Sequence, residues 1–146
     1  TRLADDPMPY NPATTSNLIR LMLGGMPPTR QAGPLHARVR YFDPVKRRAG
    51  VPEDVGALVT GMTANETKVE LVNLNQSYDR ELIVQMGGYG EHQCGKLTVG
   101  DQEFEINDST FRIRLAPGSG TTLVIETARY ANSPTLSFPW DRTRKN

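Results

Sequence analysis

From Leu35 onward, apolar and polar side chains alternate with a period of two. Leu35, Ala37, Val39 and Tyr41 share one phase, and His36, Arg38, Arg40 and Phe42 share the other. This pattern describes a half-buried strand whose second phase faces solvent. Asp43-Pro44 stops it, and a loop through Lys46, Arg47, Arg48, Gly50 and Pro52 follows. The same period returns over residues 55–63 and 67–74, with Ala64-Asn65-Glu66 as the turn of a hairpin and Val69 and Leu71 on one face. Further strands are predicted over residues 80–86, 93–99, 102–106, 110–115 and 121–127. Leu82, Val84 and Met86 share a face in the first of these, and Phe111, Ile113 and Leu115 point inward in the fourth. Turn chemistry separates them: Gly87-Gly88-Tyr89-Gly90 as a bend or bulge, Gly100-Asp101 as a two-residue hairpin turn with Gly first, and Pro117-Gly118-Ser119-Gly120. Leu136-Ser137-Phe138, held between Pro134 and Pro139, predicts a short edge strand.

About eight short strands at regular spacing, with almost no helix, predict an all-β fold, an antiparallel β-sandwich over residues 35–140. A small barrel is the alternative that strand number leaves open. The first 34 residues differ. Pro7, Pro9 and Pro12 make an irregular opening. Thr14, Thr15 and Ser16 then offer N-cap oxygens to a short helix over residues 16–24, closed by Gly24 and Gly25 and barred from continuing by Met26-Pro27-Pro28. Residues 141–146 form a basic tail.

The helix carries one charge, Arg20, while Leu18, Ile19, Leu21, Met22 and Leu23 spread around most of its circumference. A helix apolar on nearly all sides calls for burial on nearly all sides. The β domain covers one side, so the other predicts a partner: another domain, another subunit, or a second copy of the chain.

The chain has 146 residues, enough for one core and too few for two. Seventeen Lys and Arg against sixteen Asp and Glu leave a formal charge of +1, which supplies no general field for nucleic acid or an anionic membrane. No apolar run approaches the ~20 residues that span a bilayer. The single cysteine, Cys94, excludes an internal disulfide framework. The start, Thr1-Arg2-Leu3, carries neither an initiator Met nor a signal-peptide stretch, and is expected to be a piece of something longer.

Candidate chemistry is sparse. His36 sits on the outward phase of its strand and reads as a solvated surface residue. His92 lies in the loop-like run from Gly87 to Cys94, where function is more readily placed. A metal site at Glu91, His92 and Cys94 lacks the second ligand pair that zinc sites use, so neither metal nor cofactor is expected. Cys94 as nucleophile with His92 as base is geometrically allowed at i and i+2, yet Cys94 before Gly95 reads more simply as a buried small residue. Gly87-Gly88-Tyr89-Gly90 precedes a strand, whereas a phosphate loop precedes a helix. Glu103 and Glu105 share a solvated strand face opposite Phe104 and Ile106. Neither basic cluster, Lys46-Arg47-Arg48 nor Arg142-Thr143-Arg144-Lys145, is interleaved with aromatics as single-strand binders are. Tyr89, Tyr130 and Trp140 lie near loops and are the candidate sugar-stacking rings, with Glu91 and His92 as polar companions; Trp140 reads first as a lid over one end of the core. Three sequons, at Asn65, Asn75 and Asn107, all fall at turns. An extracytoplasmic or secreted setting is the expectation.

Two stretches carry a resemblance. One is Leu71-Val72-Asn73-Leu74-Asn75, with Leu82-Ile83-Val84-Gln85 and Gly88-Tyr89-Gly90-Glu91-His92-Gln93; the other runs from Phe111-Arg112-Ile113-Arg114-Leu115 through Ala116-Pro117-Gly118-Ser119-Gly120. Over residues 35–140 the chain resembles the C-terminal β-sandwich domains that close large bacterial proteins, many of them carbohydrate-active, behind a helical body. The resemblance implies an accessory role, packing on a main domain and bordering its cleft, with the N-terminal helix as the trailing piece of the preceding domain. It carries over no catalytic residue. The expected function is therefore a non-catalytic accessory or assembly domain; a carbohydrate-binding module and an enzyme fragment centred on His92 and Cys94 are the alternatives.

Overall fold

A computed structural model describes residues 16–25 and 36–142, without the side chains of Ser16 and Asn17. Pro7, Pro9, Pro12, Thr14, Thr15, the run Met26-Pro27-Pro28, Leu35 and the tail from Thr143 lie outside the described residues. The elements are α1 (Ser16–Leu23), β1 (Val39–Asp43), β2 (Arg48–Ala49), β3 (Val55–Met62), β4 (Glu66–Asn73), β5 (Arg80–Met86), β6 (Gln93–Val99), β7 (Gln102–Asp108), β8 (Thr110–Leu115) and β9 (Gly120–Ala128). A 3-10 turn follows at Pro139–Asp141.

The strands form two open antiparallel sheets, ordered β2-β1-β5-β8 and β3-β4-β9-β6-β7. The fold is a β-sandwich, and the barrel alternative falls because neither sheet closes. Alternation explains the layers. Tyr41, Leu82, Val84, Met86, Phe111 and Leu115 of the first sheet meet Val69, Leu71, Leu123, Ile125, Leu97 and Cys94 of the second in one buried cluster. Burial of this apolar surface, at about 25 cal/mol per Å², is the main term holding the layers together.

One buried polar residue ties the sheets at their shared end. Asn73 closes β4, is fully buried, and donates its amide to the carbonyls of Tyr78, Leu115 and Ala116 at 2.8, 3.3 and 3.2 Å. Its Oδ1 accepts the N–H of Asn75 at 2.9 Å. The β6–β7 hairpin has the predicted two-residue turn, with Gly100 at φ 58.

The first expected strand is corrected in two ways. It runs over Val39–Asp43, so the segment through His36 and Ala37 precedes it. Phe42, placed with the solvent phase, is only 2% exposed. The cause is the C-terminal segment, which folds back across the outer face of the first sheet. Phe138 and Trp140 stack on each other at 5.0 Å, and both stand edge-on to Phe42 at 6.0 Å. The same cover buries Gln85, whose Oε1 accepts a hydrogen bond from Arg142. Trp140 is thus a cover over the outer face of the first sheet rather than the expected lid over one end of the core, and the predicted edge strand over 136–138 does not form. Two residues of the expected 46–52 loop, Arg48 and Ala49, instead pair with β1.

The helix ends as predicted. Gly24 takes a left-handed φ of 63, and the Arg20 carbonyl accepts the N–H groups of Gly24 and Gly25 at 2.9 and 3.3 Å. Its burial is corrected: Met22 and Leu23 pack against the chain's own core, while Leu18, Ile19 and Leu21 are exposed.

Candidate functional site

A cleft of about 570 Å³ opens beside the C-terminus of α1. Five segments wall it: the end of the helix, the residues leading into β1, Met62 at the end of β3, the β5–β6 loop, and the chain leaving β9. Four of the five candidate ligand residues, Tyr89, Glu91, His92 and Tyr130, converge here. The fifth, Trp140, does not line the cleft; it lies on the outer face of the first sheet, with the Arg47 guanidinium 5.6 Å from its ring.

The site is built around a buried histidine. His92 is 4% exposed, and its Nδ1 accepts the backbone N–H of Tyr130 at 3.0 Å. The proton of the neutral ring therefore sits on Nε2, which lies 3.8 Å from Glu91 Oε1. Burial holds the His92 pKa below its usual range; Glu91 opposes the shift, while Arg38 and Arg129 add to it. Tyr130 has a left-handed φ of 55, an uncommon state for an aromatic residue, and the bond to His92 helps hold it there. Its ring meets the His92 ring edge-on at 4.8 Å.

The two loops are laced together along their backbones. Asn132 N–H donates to the Glu91 carbonyl at 3.2 Å, the Asn132 amide to the His92 carbonyl at 3.2 Å, and Thr135 N–H to the Tyr89 carbonyl at 2.8 Å. Glu91 turns its carboxylate back into its own loop and accepts the Tyr89 N–H at 2.8 Å. Gly87, at φ 84, leaves room for it, since a Cβ there would lie 2.5 Å from that carboxylate. The bend expected of this glycine cluster is therefore a carboxylate-capped loop.

Two cations line the same cleft, and neither was singled out from the sequence. Arg38 donates to the Thr63 carbonyl at 2.8 Å and to Thr67 Oγ1 at 3.3 Å. Arg129 lies over the Tyr130 ring at 5.4 Å. Among the described residues neither guanidinium has a carboxylate ion-pair partner. Burial lowers the Arg38 pKa, and the nearby Arg129 charge lowers it further. Arg38 and Arg129 lie 91 positions apart in a chain of 146, and only the folded sheets bring them together.

The nucleophile alternative finds little to work with. Cys94 is fully buried, and burial, with Glu126 nearby, pushes its thiol up to about 12. The thiolate needed for attack is therefore scarce at neutral pH. The lone pair of His92 Nδ1 is already committed to Tyr130. Among the described residues no three His, Cys, Asp or Glu side chains are grouped to hold a metal. The basic loop is spent within the chain: Lys46 pairs with Glu53 at 3.3 Å, Arg47 with Asp141 at 3.5 Å and Arg48 with Asp43 at 3.7 Å.

A second hollow, about 830 Å³, lies on the outer face of the second sheet. Leu58, Val72, Gly56 and Gly120 contribute to it, and Leu18 reaches it from the helix. Of the five expected interface residues, Leu18, Ile19 and Leu21 remain exposed, at 54, 37 and 54%. No protein-family model, no curated protein and no solved structure matches this chain.

Proposed function

We propose that the chain is a non-catalytic β-sandwich accessory domain that packs against a larger protein or against other subunits. One observation carries the reading: α1 packs Met22 and Leu23 against the chain's own core while leaving Leu18, Ile19 and Leu21 exposed, with Leu18 beside Leu58 and Val72. Three large apolar side chains on eight residues of helix are costly to leave in water, and a covering surface recovers roughly 25 cal/mol per Å² of what it buries. In this reading the domain stabilises, orients or completes a larger assembly, the role implied by its resemblance to the C-terminal domains of large bacterial proteins. Sedimentation velocity tests it. The isolated chain is expected to self-associate with rising concentration, and the double variant Leu18→Ser, Leu21→Ser to remain a monomer with an unchanged fold. A wild-type chain that stays monomeric and as soluble as the variant overturns the reading.

A second reading is favoured by the convergence of Tyr89, Glu91, His92 and Tyr130 on one cleft. In it the cleft binds a saccharide, with the tyrosine rings against its apolar face. Calorimetric titration of oligosaccharides tests it better than tryptophan fluorescence, because Trp140 lies elsewhere.

A further inference from the structure

We propose that the cleft beside α1 selects acidic saccharides, with Arg38 and Arg129 receiving the carboxylate of a uronic acid unit and Tyr130 standing against its ring. This deepens the saccharide-binding reading and rests on it. The charge balance of the cleft carries the inference. Arg38 and Arg129 enter from opposite ends of the chain, and both lack a carboxylate partner among the described residues. Among the described residues Arg38 is braced by neutral acceptors, the Thr63 carbonyl and Thr67 Oγ1. Two guanidiniums brought together without an anion repel each other; burial is the first cause that lowers the Arg38 pKa, and the Arg129 charge lowers it further.

The remaining titratable groups do not balance them. Among the described residues Glu91 is the only carboxylate lining the cleft, and it is turned toward the Tyr89 N–H and the His92 ring, with 12% of its side chain exposed. His92 is held neutral by burial. A ligand carboxylate placed between the guanidiniums would supply the missing charge through charge-assisted hydrogen bonds, the strongest that planar donors make.

A saccharide fits the rest of the wall better than a bare anion does. Tyr130 is 67% exposed and carries Arg129 at 5.4 Å over its ring, its backbone is held by the hydrogen bond to His92, and Asn132 braces the adjoining loop. An aromatic face beside a guanidinium matches a pyranose bearing a carboxylate. A volume of about 570 Å³ lies within the range of small-ligand sites and exceeds what one small ion needs.

The experiment titrates the full chain with a galacturonic acid trimer, its methyl ester, a neutral glucose trimer and inorganic phosphate, by calorimetry at low salt. The acid trimer is expected to bind at least about tenfold more tightly than the ester, since esterification removes the charge and keeps the ring. Arg129→Gln is expected to abolish that difference while leaving the melting temperature unchanged, because among the described residues the Arg129 side chain makes no ion pair. Tyr130→Ala is expected to weaken the trimer and spare any weak phosphate binding. Equal binding of acid, ester and glucose trimers overturns the charge inference and leaves the saccharide reading standing. No binding of any trimer overturns both. Phosphate binding as tight as the acid trimer overturns the role given to the sugar ring. An acid preference that survives in Arg129→Gln overturns the role given to that guanidinium.

Discussion

The phenol of Tyr41 donates to the carbonyl of Met22 at 2.6 Å, from inside the core of the first sheet to the last turn of the helix. Helix carbonyls near a C-terminus have no partner within the helix, so this bond fastens α1 to the sandwich. Arg38 N–H, donating to the Leu23 carbonyl at 2.9 Å, makes the neighbouring bond. Tyr41→Phe keeps the ring and removes only the donor. It is expected to cost about 1 kcal/mol, read as a lower urea midpoint with an unchanged slope. A midpoint equal to wild type would show that apolar packing and the Arg38 bond hold the helix without help from the Tyr41 hydroxyl.

Gly25 marks where that helix meets the strand layer most closely. A Cβ built there would lie 1.8 Å from the His36 carbonyl oxygen and 2.7 Å from Ala37 Cα. Both are backbone atoms, so no side chain can swing away. Gly25→Ala is expected to shift the helix off its seat at a cost of about 2 kcal/mol or more. Gly100→Ala is the comparison, since nothing lies within 4 Å of its Cβ and only its φ of 58 is strained. That variant is expected to lose about 1 kcal/mol. Thermal melts that rank Gly100→Ala as the more damaging change would contradict the close approach at Gly25.

How far the sequence was legible follows from which faces are covered. β5, β6 and β8 have the bounds that period and turn signals predicted, because Gly, Pro and Asn punctuate both ends of each. Phe42 was misread because its cover comes from residues 138–140, almost a hundred positions away. The cleft was half legible. Tyr89, Glu91 and His92 share a loop and could be seen together. Tyr130 could be named as a loop aromatic, but its partnership with His92 is made by fold alone. Arg38 looked like one more solvated strand cation, and nothing local distinguishes it or Arg129 from the other arginines.

The aromatic lid makes its own prediction. Trp140 stands edge-on to Phe42 and parallel to Phe138, so Trp140→Ala uncovers a ring that is now 2% exposed. Trp140 is itself only partly buried, so the loss is expected near 2 kcal/mol, below the cost of deleting a fully buried tryptophan. Arg47 also loses its aromatic contact, which adds little at an exposed site. Differential scanning calorimetry should show the fall in melting temperature. A Tm unchanged by the substitution would mean that the segment across the first sheet is held by Arg142 and its bond to Gln85 instead.

His92 makes the fold sensitive to mild acid. Its Nδ1 is an acceptor for Tyr130 N–H, and protonation turns that acceptor into a donor facing a donor. Burial is the largest influence on the ring and lowers the folded pKa; of the charged groups facing it, Glu91 favours the charged form, while Arg38 and Arg129 add to the lowering. The unfolded chain takes up this proton near the ordinary value of about 6.5, so below that pH it binds more protons than the folded chain. The His92 contribution is therefore fully present above about pH 6.5, is lost as the pH falls toward the lowered folded value, and changes no further below it. Carboxylates begin to titrate only below about pH 5, which leaves a window for the histidine. Urea midpoints at about pH 7.5 and about pH 5.5 should fall for wild type and fall less for His92→Gln, which cannot titrate. Equal losses in the two proteins would mean that the Tyr130 bond does not depend on a neutral His92.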